Sequence, residues 1–271
     1  MTRAIGVARI SGLACARFKV MANYKFTVRF DGRDFFGWQR HKEQPTVQGA
    51  IEDALTELQG HSCLIQGAGR TDRGAHAEGQ TFSAELDAER ELPATQEALN
   101  ASFVAKGGAA SIEILSIDPV ADDFHARSAA TGKIYRYEIW NTAQCPPELE
   151  GRVWHIPGPL DVKAMEAVCG CFVGEQDFAS FATRPNFKQK STRRDMRRVA
   201  LTQDGPRITV LMEANGFLYK MVRNIVRAIV KVGEGRTTPE MIDDILDARD
   251  RKAAPGTAPA SGLFLDAVQY D

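Results

Sequence analysis

The sequence predicts an α+β fold in which two β-α-β-β-α-β units merge eight strands into one mixed, mostly antiparallel sheet. Three observations carry that expectation. Strand-like alternation and helix-like spacing follow one another in the same order in each half of the 271 residues. That order is the ferredoxin-like one. A loop rich in proline, with Pro146, Pro147, Pro157 and Pro159, helps to separate the two units.

In the first unit, Tyr24, Phe26, Val28 and Phe30 alternate with Lys25, Thr27 and Arg29, a half-buried strand that ends at the Asp31-Gly32 turn. Val47, Ile51, Ala54, Leu55 and Leu58 recur at helical spacing, with Thr46 as N-cap and Gly60 just past the end. Short apolar stretches at 62–68 and 79–85 read as strands. A helix follows from Thr95 to Val104, and Ile112, Ile114, Leu115 and Ile117 mark the fourth strand.

The second unit opens with Tyr135, Tyr137 and Ile139 alternating on a strand. Asp161 begins a helical stripe of Val162, Met165, Val168, Cys169 and Phe172. Strands are expected near 194–203 and 207–214. A strongly apolar helix then carries Met221, Val222, Ile225, Val226, Ile229 and Val230. Thr238-Pro239, an N-cap followed by proline at the first helical position, opens a short helix, and a strand at 263–270 comes last. The expected organisation is a basic extension at 1–22, an N-terminal half at 23–130 and a C-terminal half at 131–271.

Composition excludes several classes. Hydrophobic residues make up 44% and charged residues 25%, which is neither disordered nor collagen-like. No run of about 18 apolar residues is present to span a membrane. Five scattered cysteines, Cys15, Cys63, Cys145, Cys169 and Cys171, lack zinc-knuckle spacing and read as reduced thiols. These features point to the cytoplasm. Residues 1–22 hold Arg3, Arg9, Arg17 and Lys19 with no acidic residue. Such a stretch suits a mitochondrial transit peptide, and an organellar location if it is one. Scarce serine, with Gly6 and Gly12 interrupting any amphipathic helix, favours a plain extension outside the fold.

The net charge of −1, from 34 cations and 35 anions, speaks on its face against nucleic acid. Leaving out the four cations of residues 1–22 deepens it to −5. The distribution says otherwise. Arg184, Lys188, Lys190, Arg193, Arg194, Arg197 and Arg198 face Asp195 alone within 184–198, a local net of +6. Such a run is commonly a solvated loop or strand edge, but its density suits phosphate contacts. Acidic residues gather elsewhere, as at Asp243, Asp244, Asp247 and Asp250.

The most unusual segment is Gly67-Ala68-Gly69-Arg70-Thr71-Asp72-Arg73-Gly74-Ala75-His76-Ala77. It connects two expected strands and sets one carboxylate between two arginines. A phosphate-cradling loop fits poorly, because no Lys-Ser/Thr follows and no helix opens. Two readings remain open on spacing alone. One is a structured turn with an aspartate bonded to its own backbone. The other is a reactive carboxylate kept charged by neighbouring guanidinium groups.

This segment resembles the Gly-Arg-Thr-Asp-x-Gly-Val-His-Ala motif of the TruA family of tRNA pseudouridine synthases. Other stretches resemble the same family in the same order. They are Asp31-Gly32 with Phe35, Gly37-Trp38-Gln39, Thr46-Val47-Gln48, Phe124-His125-Ala126-Arg127 and Lys133-Ile134-Tyr135-Arg136-Tyr137. Asp177-Phe178 with Phe181, Met221-Val222-Arg223-Asn224-Ile225-Val226, and Ala258-Pro259-Ala260 before Gly262-Leu263 complete the set. The resemblance spans about residues 23–271 and implies the pseudouridine synthase fold.

It also implies roles. Asp72 matches the essential aspartate and Arg70 the arginine of its motif. Tyr135 matches the tyrosine that lies against the target base, Arg223 the basic partner of the aspartate, and Leu263 an apolar lining of the base pocket. Ala75 departs from the usual valine, and Arg73 fills a position often held by a small residue. The implied enzyme is an isomerase that converts uridine to pseudouridine at positions 38–40 of the tRNA anticodon stem-loop. It works as a homodimer, with one tRNA contacting both subunits.

The residues suit that reaction. The ribose C1′ leaves uracil N1 and rejoins at C5, with nothing added or lost, so no cofactor and no metal are expected. A hydrolytic glycosidase would need a second carboxylate about 5–9 Å from the first, and none stands out. Arg223 lies on an otherwise apolar helix, where an unpartnered arginine is costly, so a carboxylate, Asp72 for choice, is expected to meet it. Tyr135 offers an aromatic face to a flipped base. His76 and His125 read as structural or RNA-contacting, and Phe36 and Trp38 as packing. The competing function is a non-catalytic tRNA-binding protein of the same fold.

Overall fold

The computed structural model describes residues 20–105, 111–183 and 191–271. In chain order the first unit consists of β1 (Met21–Phe30), α1 (Val47–Gln59), β2 (Gln66–Gly67), β3 (His76–Asp87), α2 (Leu92–Ala105) and β4 (Ile112–Pro119). The second consists of β5 (Gly132–Trp140), β6 (Trp154–His155), α3 (Val162–Ala167), β7 (Gly174–Asp177), β8 (Arg193–Asp204), β9 (Arg207–Ala214), α4 (Met221–Gly233), α5 (Pro239–Ala248) and β10 (Leu263–Gln269).

The strands join in the order β4-β1-β3-β10-β5-β9-β8-β7, with β2 on β3 and β6 on β5. Among the described residues, ten strands therefore replace the eight expected, two of them only two residues long. Pairing is antiparallel except for β3 with β10 and β5 with β6. The last strand in sequence thus crosses back to join the halves, through Phe264 beside His76 and Leu265 beside Ala77. Buried side chains of both halves form one core. Within it, Phe26 stacks on Phe82 with ring centres 4.5 Å apart, and Trp38 lies 6.3 Å from Phe82.

Local chemistry explains the element ends. Thr46 Oγ1 accepts from the Gly49 N–H at 3.3 Å, and Gly60 ends α1 at φ 75° with its N–H on the Thr56 carbonyl. Asp161 and Thr238 cap α3 and α5 in the same way.

Several expectations need correction. The stretch at 62–68 yields only Gln66–Gly67 as strand, because β3 offers that edge to β2 at Phe82 and Ser83 while β10 takes it at His76 and Ala77. The stripe to Phe172 leaves α-geometry at Val168 and finishes as a 3-10 turn containing Gly170. The proline loop falls between β5 and α3, inside the second unit rather than between the units. Met21 and Ala22, expected outside the fold, pair with Asp87 and Leu86. The rest of the basic extension, residues 1–19, lies outside the described residues. No described helix is long and apolar enough to cross a membrane.

Candidate active site

The glycine-rich segment leaves the sheet after β2 and returns at β3, so its residues hang at the seam between the halves. Backbone bonds hold it in place. The Ala68 N–H donates to the Thr81 carbonyl at 2.8 Å, and the Ala75 N–H to the Asp72 carbonyl at 3.1 Å. Gln80 Nε2 donates to the Gly69 carbonyl at 2.9 Å. Gly74 sits at φ 78°, where a side chain is strained. A second turn braces the loop from behind. The Trp38 N–H donates to the Thr71 carbonyl at 3.2 Å. Gly37, at φ 87°, lies so close that a Cβ would stand 2.7 Å from the same carbonyl.

Asp72 emerges from this braced loop and forms an ion pair with Arg223 Nη1, from the first turn of α4. Side-chain exposure is 19% for Asp72 and 13% for Arg223, so water screens the pair poorly. Arg223 is itself oriented, with Nε donating to the Ala258 carbonyl at 2.7 Å. The Ala258 N–H answers on the Arg223 carbonyl at 3.1 Å. Tyr137 steadies that segment through its hydroxyl on the Pro259 carbonyl at 2.7 Å.

Around the pair opens a cleft of about 1120 Å³ that Tyr135, Leu263 and Arg70 also line. Tyr135 is buried on β5, its ring edge-on to Phe217 at 4.9 Å. Burial, and after it the nearby Asp72 charge, push its phenol well above the ordinary value. Such a phenol keeps its proton, which suits a ring surface better than a base. Leu263 is buried at the start of β10.

Arg70 lies on the exposed side of the loop and makes no ion pair among the described residues. The expected second guanidinium on Asp72 is therefore not in contact with it. The basic stretch is also distributed differently from a single patch. Arg184, Lys188 and Lys190 lie outside the described residues. Arg193 pairs with Glu175 at 3.0 Å, and Arg197 with Asp195 at 3.7 Å and the Thr131 carbonyl at 2.8 Å. Arg194 donates to the Ser191 carbonyl at 3.1 Å, and Arg198 is exposed. None of these four lines the cleft.

Among the described residues, the cleft's cations are Arg70, Arg73, Arg127, Lys133, Lys220 and Arg223. Lys133 is the least expected. Two residues before Tyr135 on β5, it shares that residue's face, a signal present in the period of two. Its Nζ donates to the Ala68 carbonyl at 2.9 Å. Burial, and then the charge of Arg127, pull it down to about 8. A lysine depressed on folding holds fewer protons in the native state between pH 8 and its ordinary 10.5. Its penalty is full below pH 8 and fades as pH rises through that window. Relative to Lys133→Met, the wild type is thus expected to gain about 1–3 kcal/mol between pH 7 and 10. Urea unfolding of both proteins at the two pH values measures this, and a constant difference contradicts it.

Only one other carboxylate lines the cleft among the described residues, and it is fully engaged. Glu52 accepts from the Ile65 N–H at 3.2 Å, Gln48 Nε2 at 2.9 Å and Arg40 Nη1 at 3.0 Å. The arrangement therefore presents a single available carboxylate, oriented by one guanidinium, beside an aromatic and an aliphatic wall. His76 is buried between the Gly32 N–H at 3.1 Å and the Gly151 carbonyl at 2.9 Å, a structural position.

Comparison with known proteins places the chain in a family. Residues 27–127 and 168–271 match the family described as tRNA pseudouridine synthase. A protein named tRNA pseudouridine synthase A from Solidesulfovibrio magneticus is 42% identical over 258 residues, covering 92% of each chain. Proteins of the same name from Rhodospirillum centenum and Vibrio campbellii are 39% and 38% identical. The first match covers 92% of this chain and all of the relative, and the second 90% of each. With relatives of that name matching nine-tenths of its length, this protein belongs to the tRNA pseudouridine synthase family, a family of isomerases.

Proposed function

We propose that this enzyme isomerises uridine to pseudouridine at positions 38–40 of the tRNA anticodon stem-loop, with Asp72 as the residue acting on the nucleoside. The observation that carries the reading is the Asp72–Arg223 pair at the wall of a cleft whose other charged groups are mostly cations. Asp72 belongs to the N-terminal half, 23–130, and Arg223 to the C-terminal half, 131–271, so the site depends on both halves meeting.

The target uridine leaves its stack at a cost of a few kcal/mol. The Tyr135 ring and Leu263 receive the uracil, and base–aromatic stacking returns about 1–3 kcal/mol. The C1′–N1 bond breaks, the uracil turns within the cleft, and C1′ bonds to C5. The proton leaves C5 and N1 gains one, so the sum is an isomerisation. Asp72 serves this chemistry by attack at C1′, addition to the ring, or removal of the C2′ proton; each needs a carboxylate held in place, which is what Arg223 supplies. Glu52, bound on both oxygens, gives a hydrolase no second acid. Cationic Arg70, Arg127, Lys133 and Lys220 suit the phosphate backbone. We assign the Arg193–Arg198 strand to tRNA docking away from the chemistry, and the working unit to a cytoplasmic homodimer.

Unmodified tRNA transcripts bearing uridine at 38, 39 or 40, incubated with the protein and mapped for pseudouridine, test this directly. Modification confined to those positions is the expected result. Modification elsewhere overturns the positional assignment, and none at all overturns the catalytic one.

A further inference from the structure

Phe35, Phe36 and Trp38 form an aromatic run in which the three rings meet different surroundings. Trp38 is buried at 2% exposure and Phe35 packs against the core, whereas Phe36 is 41% exposed at the cleft. Packing explains the first two and leaves the third unexplained.

The backbone that carries the exposed ring is held firmly. The Phe36 N–H donates to the Pro45 carbonyl at 2.8 Å, the Phe35 N–H to Gly32 at 3.1 Å, and the Gln48 N–H to Trp38 at 3.0 Å. The same turn braces the catalytic loop at Thr71, so Phe36 is fixed relative to Asp72. Arg73, the next residue after Asp72, lays its guanidinium over the Phe36 ring at 4.0 Å from the centroid. Arg73 is exposed and makes no ion pair among the described residues. A planar cation on a fixed aromatic ring, at the mouth of a cationic cleft, matches a nucleobase in shape and charge.

When a uridine flips out, the base beside it loses a stacking partner. We infer that Phe36 and Arg73 form a composite platform on which the base neighbouring the flipped uridine stacks. The inference rests on the tRNA reading of this cleft and names a contact for a second nucleotide. The turn that carries Phe36 is already hydrogen-bonded, so little backbone freedom is lost on binding. Stacking of one base on such a surface corresponds to roughly 5- to 150-fold in affinity.

The test uses an anticodon stem-loop with 2-aminopurine beside the target uridine, and wild type, Phe36→Ala, Phe36→Trp and Arg73→Met. Binding to wild type is expected to change the 2-aminopurine fluorescence. Phe36→Ala should lose most of that change and raise KM about tenfold with kcat within about threefold, and Phe36→Trp should restore both. Arg73→Met should show part of the same loss. Combining it with Phe36→Ala should add little, because one platform is removed only once. Wild-type signal and KM in Phe36→Ala overturn the platform, as does a loss in kcat alone or a failure of Phe36→Trp to rescue. Wild type that binds and reports stacking yet forms no pseudouridine overturns the catalytic reading and leaves the platform supported.

Discussion

Asp72→Asn is expected to bind unmodified tRNA at least as tightly as wild type and to form almost no pseudouridine. The substitution keeps the shape of the side chain and removes its charge. Among the described residues, it takes the one available carboxylate from a cleft also lined by six cations, so phosphate attraction rises slightly. The amide oxygen still accepts from Arg223, so the loop is expected to keep its place. The chemistry has no substitute, since Glu52 is held by three donors and the Tyr135 phenol keeps its proton. A rate loss on the order of 10³-fold or more is expected, as for other enzymes that lose their reacting group. Single-turnover pseudouridine formation with a parallel binding titration measures both quantities. Turnover within tenfold of wild type would remove Asp72 from the reaction.

Arg223→Met should come next in size and differ in kind. Methionine suits the apolar helix α4, whose residues Val222, Ile225, Val226 and Ile229 are buried. Unfolding stability should therefore change little, since removing a desolvated cation offsets the lost pair. Turnover should not survive so well. Arg223 holds Asp72 with Nη1 and the Ala258 carbonyl with Nε, and without it the carboxylate loses its orientation. A misplacement of about 1 Å is worth roughly 10²-fold in rate. We expect kcat to fall by about that factor with KM within a few-fold. Arg223→Lys should recover only part, because an ammonium on a flexible stem does not satisfy both partners as the guanidinium does. A raised KM with unchanged kcat would place Arg223 in docking rather than in positioning.

The sequence exposed most of the architecture wherever an element was long enough to show its period. The alternation of Tyr24, Phe26, Val28 and Phe30 and the stripe from Met221 to Val230 each repeat several times, so burial of one face is visible in the residues themselves. Thr46, Asp161 and Thr238 mark helix starts because each has a hydroxyl or carboxylate that bonds an open N–H. Trp154–His155 and Gly174–Asp177 escape, since two to four residues contain no period. The parallel β3–β10 seam is equally hidden, being a long-range pairing of only two residues on each side.

The site divides along the same line. The cost of burying Arg223 on an apolar helix called for a carboxylate, the family resemblance pointed to Asp72 151 residues away, and the structure places them together. Arg70 had the right spacing, but spacing on a loop does not determine which side a chain faces. The dense run at 184–198 drew attention to its charge, whereas the described cations around Asp72 come from four separate segments. Only folding collects them.

That seam has a consequence for how the enzyme comes into being. β10 is translated after every other strand of the sheet, yet it lies at the centre, between β3 and β5. A ribosome-bound chain that has already completed the first unit still exposes the β3 edge at His76 and Ala77, and it lacks Leu263. Loop closure over nearly 190 residues must follow before that edge is covered. The cleft is therefore the last part of the molecule to mature, and a nascent or truncated chain carries its aspartate without a pocket to use it in.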